Sequence, residues 1–137
     1  MTDFALHEQL AADTVEIARW PLSLVLLMND RNWPWLILVP RRPAIREIHE
    51  LTETDQRALI TEIVRASRTL TQLVQPHKLN VAALGNVVPQ LHVHVIARFG
   101  NDPAWPKPAW GALPPERYTG VELQQRVTSF QQALADS

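Results

Sequence analysis

The chain has 137 residues with 46% hydrophobic and 20% charged residues, a net charge of −1 and no cysteine, which describes a folded globular protein with enough length to bury a core without disulfides or metal. The absence of cysteine excludes a disulfide framework and a thiol nucleophile and suits a reducing cytoplasm. The near-zero charge argues against a broad basic surface for nucleic acid, no apolar run approaches the roughly 20 residues of a membrane span, and an N-terminus carrying Asp3 and Glu8 does not read as a secretory signal.

Phe4 to Ala12 has a short helical pattern with Phe4, Leu10 and Ala11 on its apolar side, ended by Asp13 and Thr14. Thr14 to Trp20 alternates Val15 and Ile17 against Glu16 and Arg19, as a half-buried strand does. Leu22 to Met28 is almost continuously aliphatic, which suits a central strand covered on both faces. It closes at Asn29-Asp30-Arg31-Asn32, and Trp35 to Val39 is a second apolar run ended by Pro40, so the two form a hairpin. Arg41, Arg42 and Arg46 make a small basic cluster, read first as a solvated face and second as a phosphate contact. From Thr52 to Gln75, Leu59, Ile60, Ile63, Val64, Leu70, Leu73 and Val74 recur at three- and four-residue spacing, one stripe of a long amphipathic helix. Thr52 followed by Asp55, or Thr54 with the nearby acids, is its N-cap, and Pro76 its stop.

Lys78 to Leu84 reads as a strong strand, Gly85-Asn86 as a turn, and Gln90 to Ala97 as another strand. Phe99 to Pro115 holds so many prolines, with Trp105 and Trp110 among them, that it cannot be regular helix or central strand. It reads as an ordered arm packed on the body, with a place beside the active site or a partner as the sharper alternative. Glu122 to Ala135 closes the chain as an amphipathic helix burying Leu123, Val127, Phe130 and Leu134. The order of elements gives one α+β domain over 1–137: an antiparallel sheet with one long helix packed on it, a core over about 14–98, and an arm with a helix over about 99–137.

The chemistry is expected in Gln90-Leu91-His92-Val93-His94-Val95-Ile96. Side chains of a strand alternate between faces, so Gln90, His92 and His94 share one face while Leu91, Val93 and Val95 anchor the other. The two imidazoles stand about 6.5 to 7 Å apart at the backbone. Three readings are open: ordinary hydrogen-bonded histidines; a metal site, which would need a third ligand from far away such as His49 or His77; and nucleophilic catalysis, since a neutral imidazole attacks electrophilic phosphorus.

This segment resembles the signature of the histidine triad (HIT) superfamily, His-φ-His-φ-His-φ-φ with φ apolar, in the small bacterial-type form but with Gln90 in place of the first histidine. The order of the preceding elements extends the resemblance over most of the chain. It implies that His92 attacks the α-phosphate of a purine nucleotide, as a phosphoramidate or dinucleoside polyphosphate, and becomes transiently nucleotidylated. It implies further that His94 orients that nucleophile, with Gln90 offering an amide beside them. Asn29 is implied as a ribose contact and Leu27 and Leu38 as an apolar base slot, with plain core the equal alternative for the two leucines. Asn86 offers an amide to the phosphates, and Arg98, which follows the motif, either reaches a phosphate or caps the strand's end in solvent. No metal or other cofactor is implied, and a homodimer is. A second departure is Trp35, which stands where members carry a histidine in the segment Pro34-Trp35-Leu36-Ile37-Leu38-Val39-Pro40. With Gln90 it leaves open a non-catalytic module that binds a nucleotide or a protein partner.

Overall fold

Ser23–Met28 (β2) and Trp35–Pro40 (β3) are almost wholly apolar and pair antiparallel, with Leu26 opposite Ile37 at the centre. Strands without a polar face must be covered on both sides, and the rest of the chain does this. The computed structural model describes residues 3–137. Thr14–Arg19 (β1), Lys78–Ala82 (β4) and Val93–Arg98 (β5) complete an antiparallel sheet in the order β1-β2-β3-β5-β4. The turn between β2 and β3 is tied by Asp30, whose Oδ1 accepts the Asn32 N–H, a local bond that aspartate makes readily.

One face of the sheet carries Val25, Leu27, Leu36, Leu38 and Val95, packed against Ala66 and Leu70 of the long helix α2 (Glu53–Val74) and Phe130 and Leu134 of α3 (Gly120–Ala135). (The short helix Glu8–Asp13 is α1.) Helix α2 starts where Thr52 Oγ1 accepts the Asp55 N–H, and ends at Gln75, which takes a left-handed φ of 51° just before Pro76. Helix α3 opens on a capping box between Thr119 and Glu122, satisfying N–H groups that the first turn leaves unpaired. Each leucine fully buried in this layer contributes on the order of 2 kcal/mol.

The opposite face carries Leu24, Leu26, Ile37, Val39 and Ile96, covered by Phe4, Leu6 and Leu10 from the N-terminal segment and by Ala109 and Trp110 from the C-terminal arm. A latch holds the arm down. Arg98, 1% exposed at the end of β5, donates from Nε and Nη2 to the Asp102 carboxylate, from Nη1 to Asn80 and from Nη2 to the Lys107 carbonyl. Asp102 also accepts the N–H groups of Phe99, Ala104 and Trp105. Burial alone would raise its pKa, but Arg98 and these N–H groups hold it well below the usual carboxylate range.

Four expectations are corrected by the packing. The first helix is confined to Glu8–Asp13, because residues 3 to 7 are not helical and Phe4 and Leu6 pack against the sheet instead. The α2 stripe is narrower than its periodicity: Leu59 and Leu70 are buried, but Ile60 and Val64 are 58% and 41% exposed. The strong strand expected over Lys78 to Leu84 is shorter, ending at Ala82, and lies at the sheet edge as β4, whose Val81 is exposed. Strand β5 starts at Val93, so Gln90 and His92 lie on the segment that leads into it.

Candidate active site

His94 sits opposite Ile37 in the β3–β5 register, on the sheet face away from α2. His92 precedes the strand, and the two rings meet edge to face with centroids 4.9 Å apart. They are 7% and 5% exposed. The alternation expected of a strand therefore holds for the two imidazoles even though one lies outside the ladder, while Leu91 and Val93 anchor the other side beside Leu59.

Their hydrogen bonds define two different tautomers. His92 Nδ1 is 2.7 Å from the Gln90 carbonyl oxygen; a carbonyl only accepts, so Nδ1 carries the proton and Nε2 keeps its lone pair. His94 Nδ1 accepts the indole N–H of Trp35 at 3.0 Å; an indole only donates, so the proton of neutral His94 sits on Nε2. Burial, with the neighbouring His92, pushes His94 down from its ordinary 6.5 to about 3. One ring thus offers a nucleophilic nitrogen and its neighbour a hydrogen-bond donor that stays uncharged near neutrality.

The walls are aromatic. Trp110 of the arm packs edge to face on His94 at 5.4 Å and on Trp35 at 6.4 Å, so the arm is both packed and beside the site. Trp35 and Trp110 are also walls of an open cavity of about 540 Å³ that includes Asn29, Trp33 and Leu113. Asn29 Oδ1 accepts the Tyr118 N–H, fixing its side chain at that rim.

Other expected site residues are elsewhere or otherwise engaged. Gln90 does not offer its amide to the imidazoles: its Oε1 accepts the His7 N–H and its Nε2 donates to the Ala5 carbonyl, both at 2.8 Å. What Gln90 presents to His92 is its backbone carbonyl. Leu27 and Leu38 are fully buried on the α2 side of the sheet, because their positions in β2 and β3 point away from the histidine face; Trp35 and Trp110 wall the cavity instead. Asn86 is exposed on the loop before the histidines. Arg98 lies on the histidine face, but its guanidinium is spent on Asp102, Asn80 and Lys107 and is shut away from any phosphate. In the basic cluster Arg42 pairs with Asp55 and Arg41 donates to the Trp20 carbonyl. His77 packs on Trp105 and His49 lies in a short 3-10 turn; among the described residues no group of three or more His, Asp or Glu is arranged to hold a metal ion.

Reading the residues one by one missed the Trp110 and Tyr118 contacts and the hold of Gln90 on residues 5 to 7. The available signal for Trp110 was an aromatic in a proline-rich segment that had to pack somewhere; nothing local marked the other two.

Residues 9–101 match the model of the HIT domain. The fold is similar to a histidine triad protein from Marinobacter aquaeolei VT8, with a TM-score of 0.95 and 48% identity over 98% of each chain. A histidine triad protein from Bradyrhizobium japonicum is similar at a TM-score of 0.93 and 47% identity, covering 97% of this chain and 99% of that one. Among curated proteins, the AP-4-A phosphorylase of Mycobacterium tuberculosis is 33% identical over 84 residues, which take in 57% of this chain and 43% of that protein. The chain thus spans less than half the length of that relative.

Proposed function

Because this chain belongs to the HIT-domain family, we propose that it is a nucleotide hydrolase or transferase that cleaves at the α-phosphate of a purine nucleotide through a nucleotidyl-His92 intermediate. The observation that carries the reading is the 2.7 Å contact between His92 Nδ1 and the Gln90 carbonyl. It presents Nε2 as the nucleophile and lets the carbonyl share the positive charge that builds on the ring as the N–P bond forms. His94 Nε2–H is the donor for a non-bridging phosphate oxygen. Water then attacks phosphorus on the opposite side of the intermediate, and the electron pair of the N–P bond returns to Nε2.

The curated relative's name supports a dinucleoside polyphosphate as substrate. The base is assigned to the open cavity walled by Trp33, Trp35 and Trp110, whose aromatic surface suits a planar apolar ring, with Asn29 at the ribose. A homodimer is part of the proposal: Ile60 and Val64 on α2 and Val81 on the β4 edge form exposed apolar surface of the kind a second copy covers. Sedimentation velocity at micromolar concentration tests it, a monomer counting against it.

The catalytic test is a quench experiment. Protein mixed with diadenosine tetraphosphate and stopped within the first turnover gains the mass of AMP on the peptide containing His92, and His92→Ala gains none. A second reading, a nucleotide-binding module without turnover, is favoured by the burial of both imidazoles, His94 against Trp110 and His92 against His94. Calorimetric binding of the nucleotide with no adduct and no product would establish that reading in place of the first.

A further inference from the structure

We infer that this site expels leaving groups that depart as weakly basic oxyanions, of the phosphate, polyphosphate or carboxylate class, and discriminates against amines. The inference rests on the nucleotidyl-His92 reading and concerns what leaves when His92 attacks.

The hydrogen bonds that organise the site leave it without a group that can surrender a proton. His92 Nδ1–H is committed to the Gln90 carbonyl, and its Nε2 is the attacking atom. His94 holds one proton on Nε2, but its Nδ1 is occupied by the Trp35 N–H. Giving up the Nε2 proton would turn a neutral ring into an imidazolate, a step far outside the range of general acid catalysis near neutrality. Protonating His94 first would require a proton on the nitrogen that the indole already fills, inside a buried pocket that disfavours the charged ring. The Gln90 side chain does not titrate, and both ends of its amide are taken by Ala5 and His7.

The nearest other titratable groups on this face are anchored by bonds of their own and do not touch the two rings. The ring contacts of His92 and His94 are with each other, Trp35 and Trp110. His7, on the segment that Gln90 holds, uses Nδ1 to accept the Gln9 N–H. Within the adjoining cavity, Asp30 accepts the N–H groups of Asn32 and Glu116, and Arg117 reaches the Ala12 carbonyl and Asp13.

Chemical balance then selects the leaving group. As His92 Nε2 forms its bond to the α-phosphorus, the bond to the departing group breaks and its electron pair leaves with that group. An oxygen that becomes part of a phosphate or carboxylate accommodates the pair as a stable anion and needs no proton. Nitrogen of an alkylamine must take up a proton as it leaves, and among the described residues none in contact with the two imidazoles is free to supply it. In the second half-reaction water adds to phosphorus, its proton passes to solvent, and the N–P pair returns to Nε2.

The test is a substrate series on the wild-type protein: diadenosine tetraphosphate, the p-nitrophenyl ester of AMP and adenosine 5′-phosphoramidate N-substituted with an alkylamine. For each, kcat/KM and the adduct on His92 are measured together. Weakly basic leaving groups are expected to be favoured by about a hundredfold or more, the size of a missing general acid. Rates within a few-fold across the series, with the His92 adduct formed by all three, would overturn the leaving-group inference and leave the nucleotidyl-histidine reading standing. No adduct from any substrate would remove both.

Discussion

The two ends of β5 carry buried polar side chains on the same face of one sheet, and they are finished in opposite ways. At the C-terminal end the Arg98 guanidinium is divided among a carboxylate, an amide and a carbonyl. At the N-terminal end each imidazole has one nitrogen anchored and the other unengaged. Burial alone therefore does not distinguish chemistry from architecture here. What distinguishes them is whether any hydrogen-bonding capacity is left over once the fold is satisfied.

The largest expected break in that comparison is at the unfinished end. His92→Ala removes the lone pair aimed by the Gln90 carbonyl, and turnover should fall by about ten-thousandfold, equivalent to about 5 kcal/mol of barrier, while the urea midpoint moves little. Comparable losses of both activity and stability would mean that His92 is architectural. Next comes the finished end. Arg98→Ala leaves the Asp102 carboxylate buried without its partner and should cost about 3–5 kcal/mol of stability, read as a shift in the urea midpoint. Phosphate-dependent kinetics in the folded fraction should be unchanged; a selective rise in KM would restore Arg98 to the site.

A smaller effect sharpens the contrast through pH. Folded His94 titrates at about 3 against an ordinary 6.5, so between those values the unfolded chain binds a proton that the folded chain refuses. The penalty is absent above pH 6.5 and grows as pH falls through that window, at most by about 1.4 kcal/mol per pH unit. Wild type should therefore lose stability relative to His94→Phe between pH 6.5 and 5, and parallel curves would contradict the buried neutral ring. The smallest change is Trp35→Phe, which removes an N–H whose hydrogen bond contributes about 1 kcal/mol. Its clearer signature is in the imidazole nitrogen shifts: His94 should pass from a single Nε2–H tautomer to a mixture.

Much of this was legible in the residues because local rules act over short spacings. Strand alternation put His92 and His94 on one side, the aliphatic runs of β2 and β3 required two covered faces, and Thr52 and Pro76 bounded α2. Legibility ended where a side chain's partner lay far along the chain. Gln90 occupies a motif position, yet its amide is claimed from 83 and 85 residues away. Arg98 follows the motif and was expected at a phosphate, but Asp102, four residues on in an irregular loop, folds back on it. Leu27 and Leu38 suited a pocket or plain core equally, because the residues alone do not say which face their register gives them, and the register makes them core. Ile60 and Val64 match the helical period, but the period cannot say how wide a stripe the sheet will cover.

The histidine face is closed by pieces from both ends of the chain, with residues 5 to 7 meeting Gln90 and Trp110 meeting His94. Time enters through this arrangement. A polypeptide emerging from a ribosome has both imidazoles once residue 94 is out, but the tryptophan that walls them arrives later and the Asn29 rim waits for Tyr118. The helix-backed layer lacks by then the rest of β5, with Val95 and Ala97, and α3. The reactive surface is thus among the last parts of the molecule to be assembled, and a nascent chain that stalls before the arm carries the signature histidines without the room built around them.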